Sequence, residues 1–227
     1  MNPLYPVYNY RDLRPKTLLK PQYRHLLLLL YWPVFGFLFW YLERVHPVET
    51  YHTMYCFLDD YIPFNEWFAI PYVFWFAFLV IIHVYTGLYD VPCFRKLMKS
   101  IIISYSLSLL IFLLFPTCQE LRPTEFERDN FLTRFMAQFY ILDTSTNVCP
   151  SLHVIGSMMV VFAAWHTKRF QSVPWVIAFT AVGVLISIST VFLKQHSVLD
   201  VLVAIPICVL TYFLCYGYGK KPKEAAA

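Results

Sequence analysis

Two short polar stretches stand at the mouths of long apolar runs: Cys149-Pro150-Ser151-Leu152-His153 and Lys194-Gln195-His196-Ser197-Val198-Leu199-Asp200. Ionisable side chains beside a membrane core are costly, so their presence there points to function. His196 and Asp200 are four residues apart, which stacks them on one face of a helix. A carboxylate one turn along can accept the imidazole N–H, fix the tautomer and leave the other ring nitrogen as a nucleophile. His153 lies just inside the preceding apolar run, where it could protonate a departing oxygen as general acid. Pro150 suits a first helical turn, and the N–H groups of that turn with the Ser151 hydroxyl would cradle a phosphate. Arg122 offers a planar fork and Lys194 a point charge to phosphoryl oxygens. Each residue also has a plain reading: a dyad that only stabilises, a capping histidine, cations that snorkel to the interface.

Composition says what must position these groups. The 227 residues are 59% hydrophobic and 14% charged, with a mean hydropathy of +0.53. Soluble domains carry about 25% charged residues, so this surface cannot mostly face water. An all-α integral membrane protein of six transmembrane helices is expected. The net charge of +4 sits largely in short connecting segments, where it reports topology and calls for no nucleic-acid partner. Six cysteines are scattered without a CxxC pair or Cys/His ligand spacing, so no structural zinc site is expected. Free thiols are the expectation, with a Cys118–Cys149 pair as the alternative.

In chain order, residues 1–25 are a basic segment, and the membrane domain is expected over 26–217, its chemistry confined to 117–200. The apolar runs cover 26–41, 67–88, 101–115, 150–165, 174–193 and 197–216. The first is too aromatic and too far along the chain for a cleaved signal peptide. Between them lie an acidic loop over 43–66, a short basic loop over 95–99, a long charged loop over 116–149 and a basic turn at 168–169; the tail 218–227 is again basic. Thr124-Glu125-Phe126-Glu127 fits a capping box, with Phe131, Leu132, Phe135, Met136 and Phe139 at helical spacing behind it. That pattern predicts a short helix lying on the bilayer surface. The fourth run is shorter than the roughly 20 residues that cross a bilayer, which would recess the mouth at His153.

Every basic segment falls on one side of a six-span arrangement, so the positive-inside rule puts both termini in the cytoplasm. Both histidine stretches then share the extracytoplasmic face, with the plasma membrane as the expected location.

Together these residues resemble the phosphatidic acid phosphatase type 2 superfamily. Its three motifs are a Lys followed by Arg-Pro, then Pro-Ser-x-His, then Ser-Arg leading to His-x-x-x-Asp. Arg122-Pro123, Pro150 to His153, and Ser189 with His196 and Asp200 match in order. The resemblance implies His196 as a nucleophile that forms a phosphohistidine, Asp200 as its orienter and His153 as general acid. Arg122, Ser151, Lys194 and Ser189 would bind the substrate phosphate. Two positions depart: Phe115 stands where the family has Lys, and Thr190 where it has the second Arg. The pattern is closest to the inositol phosphorylceramide and sphingomyelin synthase-like branch, which passes a headgroup to a lipid alcohol.

The expected activity is that of a metal-independent lipid phosphate phosphatase or phosphotransferase. It needs no cofactor, because fixed cations take the place of a metal and no carboxylate cluster suits magnesium. Its partners would be a lipid substrate in the membrane and, for transfer, a lipid alcohol acceptor. The alternatives are a transporter or lipid-binding protein using the same His/Asp cluster as a proton relay, and an inactive scaffold. His25, His46, His52, His83 and His166 match no motif and are expected at the surface or interface. Trp67 and Trp165 read as interfacial anchors.

Overall fold

The structure, a computed structural model, describes residues 5–217. The basic tail over 218–227 therefore lies outside the described residues. The chain is 69% helix and 2% strand. A 3-10 segment, Arg24–Leu30, runs into α1 (Tyr31–Arg44); α2 (Leu58–Tyr61), α3 (Ala69–Tyr89), α4 (Val91–Leu114), α5 (Phe131–Leu142), α6 (Leu152–His166), α7 (Val173–Phe192) and α8 (Val198–Cys215) follow. Two short strands, β1 (His52–Thr53) and β2 (Thr117–Cys118), pair in parallel and tie the two long loops together.

The chain is a membrane protein. Arg24–Arg44, Glu66–Tyr89, Val91–Leu114, Val173–Phe192 and Val198–Cys215 are each long and apolar enough to cross a bilayer. Large apolar side chains such as Ile70, Phe74, Ile81, Val184, Leu202 and Phe213 face outward from these helices. Helix α6 is apolar but spans only 15 residues, about 22 Å at 1.5 Å per residue. It is also the most enclosed helix, packed by α3, α4, α7 and α8, with Ile155, Met159, Val160, Val161, Ala163 and Ala164 fully buried. A helix enclosed by its neighbours does not itself need to match the hydrocarbon thickness.

Close approach depends on Gly156. A Cβ there would lie 2.5 Å from the Tyr105 hydroxyl and 3.0 Å from Trp75 Nε1. One turn and more along α6, Val161 meets Gly183 of α7 in the same way, at 2.7 Å from a hypothetical Cβ.

Several boundaries differ from expectation. Arg95, Lys96 and Lys99 do not form a loop but lie inside α4, which starts at Val91. Asp90 alone links α3 to α4; its side chain accepts from Cys93 N at 3.1 Å, and Pro92 follows in the first turn. The helix after the long loop starts at Phe131 and not at the Thr124 box. Asn130 is its cap, accepting from Leu132 N and Thr133 N at 2.9 and 3.1 Å, while Thr133 Oγ1 accepts the Asn130 N–H. Pro150 precedes α6 instead of opening its first turn, because Ser151 is the N-cap. His25 and His83 are buried, not interfacial. His25 Nε2 meets Gly87 O at 3.0 Å, and His83 Nδ1 meets Leu79 O at 2.7 Å. All six cysteines are free thiols.

Gly156→Ala must push Tyr105 or Trp75 aside, and overpacking of this kind costs about 1–3 kcal/mol. Thermal unfolding of the purified protein should show the loss, and Tyr105→Phe in the same chain should restore part of it. A melt unchanged by Gly156→Ala would contradict this packing.

Candidate active site

Helix α8 begins with Ser197 as N-cap, and its third residue supplies the reciprocal partner: Asp200 Oδ2 accepts the Ser197 N–H at 3.0 Å. The same oxygen lies 3.0 Å from His196 Nδ1. An ionised carboxylate cannot donate, so Nδ1 carries the proton and Nε2 keeps its lone pair. The turn before α8 brings His196 to this point. Thr190 O accepts both Gln195 N at 2.9 Å and His196 N at 3.2 Å, and Lys194 adopts a left-handed φ of 53°. That region costs a non-glycine residue about 1–2 kcal/mol. The Lys194 ammonium helps hold it by donating to Asp59 O at 2.7 Å.

The other histidine arrives on α6. The Ser151 N–H donates to Asp200 O at 3.2 Å, joining the two polar stretches directly. The His153 and His196 rings then meet edge-on with centroids 6.0 Å apart. His153 is stacked on Tyr72 and packed on Trp75, both at 4.3 Å, so aromatic rings of α3 fill the recess expected at this mouth. Its Nε2 has no hydrogen-bond partner. Behind the dyad, burial and the adjacent Asp200 carboxylate push the Cys149 thiol up to about 12.

The expected cations are placed differently. Arg122 donates to Tyr140 O (3.0 Å), Asp143 O (2.8 Å), Thr144 O (2.8 Å) and Gln195 Oε1 (2.5 Å), with Tyr140 beneath its guanidinium at 4.7 Å. Its fork clamps the 140–144 turn to the residue beside His196. Ser151 Oγ is buried and caps Val154 N at 3.5 Å. Ser189 is buried in α7 with its hydroxyl donating back to Ile186 O at 2.6 Å. His196, Asp200, His153 and Ser151 therefore converge, Arg122 reaches them through Gln195, Lys194 is held on the acidic loop, and the Ser189 hydroxyl is turned onto its own helix.

The family profile of the PAP2 superfamily matches residues 96–223, more than half of the chain. The chain belongs to that superfamily. Its members are generally phosphatases or phosphotransferases, which supports an enzyme here. No curated protein and no solved structure matches the chain. At the two positions that depart from the PAP2 pattern, Phe115 stacks on His52 at 4.0 Å and the Thr190 hydroxyl donates to Ser187 O at 2.8 Å. Neither offers a charge to the site.

Carboxylates supply what the sequence reading missed. Asp59 is buried, and it accepts from Ser197 Oγ (2.6 Å), Val198 N (2.8 Å) and Cys56 N (2.8 Å). It thus sits at the positive end of α8. Asp143 accepts from Gln195 Nε2 at 3.2 Å and Tyr72 Oη at 3.4 Å. Burial pushes its carboxyl above the usual carboxylate range, with Arg122 and His196 pulling it back. Glu43 at the end of α1 accepts from Thr144, Thr146 (3.1 Å) and Asn147 (2.6 Å). That contact holds Asn147, itself at φ 50°, two residues before Cys149. The only sequence signal for these acids was their presence in loops beside the motifs.

Asp59→Ala strands the Ser197 hydroxyl and the Val198 N–H without their buried partner. Hydrogen bonds to charged groups contribute about 1.5–3 kcal/mol, so we expect a loss of about 3 kcal/mol in chemical denaturation, with Asp59→Asn losing less. Equal stability of wild type and Asp59→Ala would contradict the anchoring role.

Proposed function

We propose that this membrane protein transfers a phosphoryl group from a lipid phosphate or phospholipid headgroup through a phosphohistidine on His196. The observation that carries the reading is the Asp200-oriented His196 facing His153 across 6.0 Å. In the first step His196 Nε2 attacks phosphorus, the bond from phosphorus to the leaving alcohol breaks, and His153 delivers a proton to that oxygen. In the second, water or a lipid alcohol loses its proton to His153 and attacks phosphorus, and the P–N bond breaks. Splitting one displacement into two easier ones is the logic of covalent catalysis. Asp200 stabilises the imidazolium character of His196 and keeps its tautomer. Lys194, Ser151, Ser189 and Arg122 are proposed to serve the phosphate, Arg122 by exchanging a carbonyl partner for it.

A lipid substrate fits the surroundings. An apolar groove of about 550 Å³ runs between α6, α7 and α8 and begins at Ile62, Val154 and Val198, beside the two histidines. An acyl chain could lie there while the headgroup meets His196. In this reading α6 is the fourth of six spans in the 26–217 membrane domain, both termini are cytoplasmic, and the site faces the extracytoplasmic side of the plasma membrane. With few cations free, transfer of a headgroup to a lipid alcohol, as in the sphingomyelin synthase-like branch, is as well supported as hydrolysis. One feature favours the inactive-scaffold reading instead: Phe115 and Thr190 replace two cations, and protein oxygens occupy the Arg122 fork.

Purified protein supplied with labelled phosphatidic acid or phosphatidylinositol, with and without a lipid alcohol, separates these readings. Phosphate release without acceptor marks a phosphatase, and headgroup appearing on the acceptor marks a transferase. His196→Ala should abolish either product, Asp200→Asn should lower the rate by about 10²–10⁴, and EDTA should leave it unchanged. Wild type as inert as His196→Ala across a broad lipid panel would sink the enzyme reading.

A further inference from the structure

At the end of the bundle away from His196, a second cavity gathers cations and tyrosines. From Tyr72, which touches His153, helix α3 runs on to Tyr89, about 25 Å further. There a cavity of about 570 Å³ is lined by Tyr8, Tyr85, Tyr89, Arg95, Lys168 and Arg169. The three cations come from two separate elements, the first turns of α4 and the 3-10 turn after α6. None of them forms an ion pair with a described carboxylate. Asp90 is the one acid in the lining, and its carboxylate is engaged in capping Cys93 N. All three cations are exposed and line one cavity, so an anion seated there would have cationic partners from both elements.

The cavity is built and not a chance dimple. The N-terminal segment is laid across the end of α3 to form one wall: Val7 N donates to Leu88 O at 2.8 Å, and Tyr10 Oη to Gly87 O at 2.8 Å. Tyr85 and Tyr89, also in the lining, stack at 5.1 Å, and Phe170 packs on Tyr85 at 4.7 Å. Its level matters as much as its charge. It lies where the apolar runs of α3 and α6 stop and that of α4 has yet to begin, at the depth of lipid headgroups, where tyrosines are favoured. Basic pockets between helices at that depth suit anionic headgroups.

The geometry points to a second, non-catalytic lipid site here, which takes the phosphate-bearing headgroup of an anionic membrane lipid between Arg95, Lys168 and Arg169 with the tyrosines around it. Occupancy would pin the N-terminal segment, α4 and the α6–α7 turn together at the far end of the bundle from the histidines. The site uses no residue of the phosphotransfer machinery, so it stands whether or not that reading holds.

The test is photolabelling of the full chain in phosphatidylcholine vesicles that contain a phosphatidic acid carrying a photoreactive group close to its phosphate. The His196→Ala chain prevents turnover of the probe. Labelled peptides should include 85–95 and 167–170, and labelling there should fall with salt, as a charge-driven contact must. Exchanging Arg95, Lys168 and Arg169 together for Gln should weaken it by on the order of 100-fold, about fivefold per cation. Arg95→Lys with Arg169→Lys should retain it, which separates lost charge from lost fold. Labelling confined to 149–154 and 190–200, labelling at 85–95 that salt and the triple variant leave intact, or equal labelling by an uncharged diacylglycerol probe would each overturn the proposal. So would full competition by soluble glycerol phosphate at matched ionic strength, which would make the ligand a free phosphate ester instead of a lipid.

Discussion

One aspartate joins the two halves of this site. Asp200 Oδ2 accepts the Ser197 N–H that starts α8 and also the His196 Nδ1–H, while its backbone oxygen accepts the N–H of Ser151, the residue whose hydroxyl caps α6. The carboxylate that makes the helix begin is therefore the group that orients the nucleophile, and the backbone carbonyl of the same residue ties it to the start of α6, which carries His153. Because the residue is fully buried, these contacts are made in a low dielectric, where they are stronger and where losing any one costs more. Helix formation, the meeting of the two stretches and the chemistry of His196 cannot be separated energetically.

Around that centre the protein uses acids as fasteners, Asp59 buried and Glu43 and Asp143 half-buried. Asp59 binds the acidic loop to the start of α8, Glu43 binds the end of α1 to the turn before Cys149, and Asp143 binds Gln195 and Tyr72 behind His196. Arg122 closes the set by spending its fork on the 140–144 turn and Gln195. Such an arrangement holds the histidines rigidly, and it leaves the site with less free positive charge than the PAP2 motifs imply. Lys194 retains hydrogen-bonding capacity beyond its contact with Asp59, and the left-handed backbone beneath it is a constraint of the kind found at functional sites.

What could be read from the sequence follows from what is local. The four-residue spacing of His196 and Asp200 picked out the right pair for the wrong local reason: His196 stands before the N-cap Ser197 and outside α8, and Asp200 reaches back over the cap to meet it. The apolar runs were legible because their length has one meaning in a membrane. The α3–α4 junction was not, since hydropathy marks Arg95, Lys96 and Lys99 as polar while the Asp90-Val91-Pro92 start signal keeps them helical. The start of α5 was misplaced for a related reason: Thr124 has the pattern of a cap, but Asn130 and Thr133 make the reciprocal bonds. Asp59 and Asp143 were invisible as site residues because their partners lie 138 and 52 residues away. His83 and His25 looked interfacial by position, yet tertiary packing buries both.

The central claim is a covalent bond between phosphorus and His196 Nε2, and the most direct measurement is to trap it. Protein would be mixed with lipid labelled in its phosphate, quenched in alkali, where phosphohistidine survives and acyl phosphates do not, and the labelled peptide mapped by mass spectrometry. The account predicts label on His196 in wild type, and none in His196→Ala. Label on another residue, or product formed at full rate with no label at His196 at any time in the reaction, would contradict it.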